Sequence, residues 1–466
     1  MGLSLIFLLL AAGGVWEALS QEGPALRLFR RWLEVFNAGD RASLTKFLES
    51  HRPSEAARVD ELLEFRGETG GFELEKIERA EPLGVTGVVK ERDGDNYARF
   101  ELELEPGNPE RIARMSLRVL PSSPEFPGPG RVSDLEAVAA LRSEINRRCA
   151  RGQFSGAALV ARGKKVLFAQ ACGLADRERG VPNRLTTRFR LGSMNKMFTA
   201  VAVLQLVQAG KLRLEDTVGR HLPGYANRQV ASKVTVRQLL THTAGMGDIF
   251  GPAFQRERQN LRELRDYVRL YGNRAPEFEP GSRWAYSNYG YILLGVLIEA
   301  VSGESYYEYV RRHVFKPAGM EATDSLPEDV RVPDRAIGYM RRQGAWVPNT
   351  ETLPHRGTSA GGGYSTVRDL HRFALALLGH RLLDPEHTRL LTTPQVETPG
   401  GGRYAYGFGV GSEDGALWFG HGGGAPGMNG ELRIFPKSGH VLVALANLDP
   451  PAAGRVVSFA ARRLRF

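Results

Sequence analysis

Two cysteines in 466 residues exclude a disulfide framework or a thiolate metal cluster as the organising device. Those two, Cys149 and Cys172, leave a single pairing and two buried thiols equally open. The ten histidines never fall at His-x-x-x-His spacing, so no metal site is implied and no cofactor is expected. Basic runs and aromatic–basic motifs are also missing. The net charge of +10 is therefore read as a solvated surface, with no nucleic-acid partner. No apolar stretch reaches the roughly 20 residues of a membrane span. The apolar residues 3–12, followed by Ala18-Leu19-Ser20, read instead as an export signal over 1–20. That predicts a secreted or periplasmic protein, with an uncleaved anchor as the alternative.

What is present is a globular composition, 42% hydrophobic and 24% charged, in a chain too long for one ordinary core. Residues 21–120 carry an acidic excess and residues 121–466 a basic one. Leu26, Phe29, Leu33 and Phe36 share a face of a helix over 24–37, and Asp40 caps a second. A third is expected over 54–66. The period then changes to strands over 72–79, 82–91, 96–105 and 111–119, giving a small α+β unit. Four prolines and two glycines in 121–130 make a linker. Beyond it lie a helix over 133–148, strands over 156–162 and 165–173, a long helical middle, a second hairpin over 432–436 and 440–448, and a last helix over 454–464. Strands at both ends predict one antiparallel sheet with the helical middle packed on its inner face.

The second domain is organised around Leu191-Gly192-Ser193-Met194-Asn195-Lys196, which opens a helix apolar on every side. Such a helix belongs inside a protein. Ser193 and Lys196 lie three residues apart and share one face. Burial at a helix N-terminus disfavours a charged amine, which leaves a base beside a hydroxyl nucleophile. Ser43-Leu44-Thr45-Lys46 has the same spacing in a polar stretch and reads as a solvated helix face.

Tyr286-Ser287-Asn288 precedes another apolar helix over 292–301. Tyr286, held beside a lysine, is expected to have a lowered pKa and to shuttle a proton, while the Asn288 amide can meet substrate. Tyr225-Ala226-Asn227 repeats that spacing in what reads as a surface turn. His421-Gly422-Gly423-Gly424 follows an apolar stretch, and its glycines let backbone come close to a ligand. Ser359-Ala360-Gly361-Gly362-Gly363 is expected to line the same cleft.

In this order, Ser193-x-x-Lys196, Tyr286-x-Asn288 and His421-Gly422-Gly423 resemble the signatures of the serine β-lactamase/penicillin-binding-protein superfamily, in its class C-like branch. The flanks Leu239-Leu240-Thr241-His242-Thr243-Ala244-Gly245-Met246 and residues 280–291 are similar too. The resemblance covers residues 131–466 and implies a β-lactamase/transpeptidase-like α+β fold. It implies acyl transfer: Ser193 attacks a carbonyl and Lys196 and Tyr286 share the proton work. It further implies an oxyanion hole from the backbone N–H groups of Ser193 and Gly424, and substrate contacts from Asn288, His421, Gly422 and Gly423. Where many members have lysine, this chain has His421, neutral near pH 7 unless its pKa is raised. That favours an esterase or D-amino-acid peptidase or amidase over a β-lactamase or D-alanyl-D-alanine carboxypeptidase. A non-catalytic sensor or scaffold is the reading from another class. The expected partner is a small-molecule or peptide-like acyl substrate, cell-wall material being one source. Nothing in the sequence fixes the oligomeric state. In the first unit, Trp32, Phe36-Asn37 and Gly39-Asp40 loosely resemble the opening of nuclear transport factor 2-like domains.

Overall fold

The computed structural model describes residues 22–342 and 344–466, so the export signal expected over 1–20 lies outside the described residues. The chain divides into two compact units between Gly130 and Arg131. In the first, helices α1 (Pro24–Ala38), α2 (Arg41–His51) and α3 (Val59–Thr69) precede an antiparallel meander, β1 (Phe72–Glu81), β2 (Gly84–Glu91), β3 (Tyr97–Glu105) and β4 (Asn108–Val119). Gly39 ends α1 in the left-handed conformation at φ 68°, and the Asp40 side chain then caps α2. The expected third helix is delayed. Pro53 starts a separate 3-10 turn, Pro53–Arg58, and α3 begins after it. Strand β3 alternates Ala98, Phe100, Leu102 and Leu104 inward, and the Phe100 ring stacks on Phe29 of α1 at 3.6 Å. Helix face and strand face thereby close one core.

In the second unit, α4 (Asp134–Ala150) starts in a capping box between Ser133 and Glu136. It is followed by β5 (Gly156–Arg162) and β6 (Lys165–Cys172). Cys149 and Cys172 are joined as a disulfide, which resolves the two alternatives and ties the end of α4 to β6. A short strand, β7 (Phe189–Arg190), leads to the buried helices α5 (Asn195–Gln208) and α6 (Asn288–Ser302). Strand β8 (Tyr364–Ser365), paired with β7, leads to α7 (Val367–Leu378). The chain then adds β9 (Val396–Thr398), β10 (Gly402–Tyr404), β11 (Gly409–Glu413), β12 (Ala416–Ala425), β13 (Met428–Phe435), β14 (His440–Ala446) and α8 (Ala452–Ala461).

One eight-stranded antiparallel sheet results, in the order β9-β10-β11-β12-β13-β14-β5-β6, so strands from both chain ends meet where β14 pairs with β5. Strand β14 explains its own sequence. Val441, Val443 and Leu445 join the core with α5, α6 and α7, whereas Leu442, Ala444 and Ala446 join the core with α4 and α8. A strand covered on both faces must be apolar throughout, and Val441-Leu442-Val443-Ala444-Leu445-Ala446 is. The helical middle packs on the inner face, as the two-ended pattern predicts.

Candidate active site

The site is built where α5 begins. Its residues from Asn195 to Leu204 are all buried, as their composition requires. Ser193 lies just ahead of the helix proper, in the 3-10 turn Gly192–Met194. The turn is entered through Gly192 at φ 52°, where a Cβ would also come within 2.8 Å of the Gly424 backbone nitrogen. Only glycine meets both demands.

Lys196 is fully buried. Its Nζ donates to Asn288 Oδ1 at 2.7 Å and to the Ala360 carbonyl at 2.6 Å. Loss of solvent lowers its pKa to about 7, the charge of Asp248 opposing that shift. Its ionisation is thereby brought into the physiological range, where the neutral amine is accessible. The Ser359–Gly363 stretch does line the cleft: Ala360 supplies a carbonyl to Lys196, Ser359 one to Thr199, and Gly361 passes against Gly192.

The Ser193 side chain is close enough to the Tyr286 hydroxyl to stabilise its phenolate, and Lys196 Nζ stands 4.7 Å from the Tyr286 ring centroid. The expectation of a lowered Tyr286 pKa fails. Burial pushes the phenol up, the Ser193 hydrogen bond opposes this, and the Asp248 charge adds to it. Tyr286 is thus a neutral phenol at rest, and Lys196 is the group poised to change protonation.

Asn288 is also placed differently from expectation. It begins α6, which Ser287 caps, and its amide is engaged inside the site. Oδ1 accepts from Lys196, and Nδ2 donates to the two Asp248 carboxylate oxygens at 2.9 and 3.2 Å. Asn288 thus holds Lys196 in place, and an amide with two N–H donors and two carbonyl lone pairs keeps capacity for a substrate contact besides.

His421 lies on β12 near the same centre. Its Nδ1 donates to the Gly422 carbonyl, which fixes the proton there and leaves Nε2 to accept from the Tyr404 hydroxyl at 3.1 Å. Burial and the nearby Lys196 charge lower its pKa to about 4. The glycines after it are there for close approach. A Cβ on Gly423 would meet the Leu191 carbonyl oxygen at 1.8 Å, one on Gly424 the Pro450 ring at 2.7 Å, and one on Gly422 the Glu431 carboxylate at 2.7 Å. The run brings β12 backbone against the Ser193 turn.

Sequence reasoning missed three contributors. His242 has an unusual left-handed backbone, φ 59°, and its ring lies 4.3 Å from the Tyr286 ring. Its Nδ1 accepts from the Ser287 N–H at 3.1 Å, and its Nε2 lies 3.3 Å from the Tyr404 hydroxyl. Tyr404, from β10, thus bridges His242 and His421. Asp248 completes the set beside Asn288. Only His242 had a signal, the similar flank around 239–246; Tyr404 and Asp248 arrive through folding alone. Of the two decoys, Ser43 is exposed on α2 as expected. Tyr225 is not a surface turn residue: it is buried, with its hydroxyl 2.9 Å from that of Tyr289.

Comparisons with known proteins identify the family. Penicillin-binding protein 4 of Amycolatopsis lactamdurans is 30% identical over 330 residues, 67% of this chain and 84% of that protein. The penicillin-binding protein structure from Bacillus halodurans superposes with a TM-score of 0.63 at 34% identity, covering 67% of this chain and 98% of that one. A D-stereospecific amidohydrolase from Streptomyces sp. gives a TM-score of 0.60 at 29% identity, with 70% and 98% covered. The family profile described as Beta-lactamase matches residues 141–465. With Ser193, a buried Lys196 and Tyr286 assembled at one point inside that span, the chain belongs to the β-lactamase family and is a serine hydrolase.

Proposed function

We propose that this protein is an exported hydrolase that cleaves ester or amide bonds through an acyl-enzyme on Ser193, of the esterase or D-amino-acid peptidase or amidase type. The observation that carries the reading is Lys196, stripped of solvent so that its pKa falls to about 7 in contact distance of the Tyr286 ring. A scaffold that only binds has no use for so costly a lysine. Ser193 Oγ attacks the carbonyl carbon as its proton passes into the Tyr286–Lys196 pair. The carbonyl oxygen becomes an oxyanion facing the backbone N–H groups of Ser193 and Gly424. Collapse breaks the bond to the leaving group, which takes the proton, and water then releases the acid by the same steps.

His421 supports the ester and amide side of this reading. Its Nε2 is used as an acceptor and its ring is neutral, so it offers no charge to the carboxylate of a β-lactam. The likeness to a D-stereospecific amidohydrolase supports it too. The relatives named penicillin-binding proteins favour a second reading, a β-lactamase or D-alanyl-D-alanine carboxypeptidase acting on cell-wall material. Export is supported by the apolar residues 3–12 and by the Cys149–Cys172 disulfide, a bond of oxidising compartments. The test is intact-mass measurement after exposure to a fluorophosphonate, a penicillin and an activated ester. Adducts on the wild type and on Ser43→Ala, none on Ser193→Ala, are expected. Labelling that survives Ser193→Ala would remove the assignment, and a stable penicilloyl adduct formed in preference to the others would favour the second reading.

A further inference from the structure

We propose that Tyr404 is a positioning residue of the hydrolytic site: its hydroxyl closes a one-directional hydrogen-bond chain that fixes the Tyr286 segment against the strand carrying Gly424. The inference deepens the proposed acyl-enzyme reaction and rests on it. His242, Tyr404 and His421 are far apart in sequence and meet here, and backbone at each end decides where every proton sits. At one end the Ser287 N–H donates to His242 Nδ1 at 3.1 Å, so that nitrogen is bare and the proton of the neutral ring is on Nε2. At the other end His421 Nδ1 meets the Gly422 carbonyl, which can only accept, so the proton is on Nδ1 and Nε2 is bare. Tyr404 Oη stands between them, 3.3 Å from His242 Nε2 and 3.1 Å from His421 Nε2. It therefore accepts from His242 and donates to His421. The reverse setting would put donor against donor at Ser287 and lone pair against lone pair at Gly422. Tyr291, the other phenol beside them, gives its own proton to the Leu240 carbonyl at 2.8 Å.

All three members are neutral. Burial first, then the charges of Lys196 and His421, hold His242 well below its ordinary pKa, and burial with the Lys196 charge does the same for His421. Burial, with the Tyr291 and Tyr286 phenols beside it, holds the Tyr404 hydroxyl well above its ordinary value, so its proton stays in place. What the chain holds is the catalytic tyrosine. His242 grips Tyr286 from three sides: its carbonyl accepts from the Ala285 N–H at 2.9 Å, its Nδ1 from the Ser287 N–H, and its ring lies 4.3 Å from the Tyr286 ring. The other end of the chain is Gly422, two residues before Gly424 on β12. One hydroxyl thus ties the two walls of the cleft together, and removing it takes the shared partner from both imidazoles at once. His421, standing where many family members have lysine, is in consequence a strut. Both of its nitrogens are engaged within the protein, and it offers the substrate no N–H.

The experiment uses the full-length protein, labelled with nitrogen-15, and the variants Y404F, H242N and H421N. Long-range proton–nitrogen spectra of the wild-type imidazoles at about pH 7, assigned by the signals lost in H242N and H421N, are expected to show the Nε2–H tautomer for His242 and the Nδ1–H tautomer for His421. In Y404F the His421 ring loses the donor that favours its neutral form, so its titration midpoint should rise by about half a pH unit or more. With p-nitrophenyl acetate at about pH 8, Y404F should lower kcat about tenfold and leave KM within about twofold, because a small ester still binds while Tyr286 and the Gly424 N–H lose their register. H242N breaks the same chain one link away, with an asparagine that suits the left-handed backbone, and should show the same split of kcat from KM. An Nε2–H tautomer at His421, or an Nδ1–H tautomer at His242, overturns the chain. Wild-type kcat in either variant that folds overturns the positioning role, even if that variant melts at a lower temperature. Absence of ester hydrolysis in the wild type would refute the acyl-enzyme reading and the positioning role with it, whereas normal turnover with the wrong tautomers would refute the Tyr404 chain alone.

Discussion

At the scale of single residues, the proposed chemistry turns on a lysine that is left unprotonated, and so able to accept a proton, by being denied water. Lys196 must be neutral for Ser193 to lose its proton, and its pKa is held near 7 chiefly by burial. The sign follows directly: below that value the lysine is charged and activity falls, above it the amine is free. For a neutral ester, kcat/KM is expected to rise with unit slope to a plateau above about pH 8. At about pH 5.5 it should lie roughly thirtyfold below that plateau. His421 adds no limb of its own there. Its pKa of about 4 keeps it neutral throughout the range. A pH–rate profile from 5 to 9 checks both statements, and a flat profile through 7 would show that Lys196 is not the titrating base.

At the scale of elements, the site is a contact between a turn and a strand, and glycine sets how close they come. The Ser193 turn and β12 meet with Leu191 O lying where a Gly423 side chain would begin, at 1.8 Å from its Cβ position. That neighbour is backbone and cannot swing aside. Gly423→Ala should push β12 off the turn, displace the Gly424 N–H from the oxyanion and cost on the order of 100-fold in kcat/KM, comparable to loss of one oxyanion donor. Gly107→Ala, with nothing within 4 Å of its Cβ position, serves as the matched control and should change neither activity nor melting temperature. Equal behaviour of the two variants would mean that the strand is free to adjust. The same element logic explains His242, whose left-handed backbone turns the chain so that its ring packs on Tyr286.

At the scale of the whole molecule, two units are packed independently. Phe29, Trp32, Phe36 and Phe100 close the first. The second holds Ser193, Lys196, Tyr286, Asn288, His421 and Asp248, all beyond Gly130. Each unit satisfies its own sheet, and the division falls in the proline-rich stretch that no helix or ladder can use. Residues 131–466 expressed alone are therefore expected to fold, to keep a cooperative melting transition, and to hydrolyse p-nitrophenyl acetate within about threefold of the full chain. An insoluble or inert fragment would show that the first unit completes the site or the core.

Sequence by itself determined what rests on local periodicity and on short spacings. An all-apolar run has to be interior, so α5 and α6 were legible, as was β14 with its two buried faces. Ser193 and Lys196 lie three residues apart across the turn that opens α5, which brings them to one end of it. The order of the three signatures brought the superfamily with it, and glycines beside a catalytic turn announced close approach. Tertiary structure decided everything that depends on solvent and on partners distant in the chain. Tyr286 looked acidic beside a lysine, but burial of both groups raised the phenol instead. Asn288 carried no sign in the sequence that its amide would also tie Lys196 to Asp248. Tyr404 and Asp248, 208 and 52 residues along the chain from Lys196, carry no local signal of their roles. Hydrogen-bond partners and desolvation are properties of the packed chain, because only packing removes water and only long-range contacts replace it.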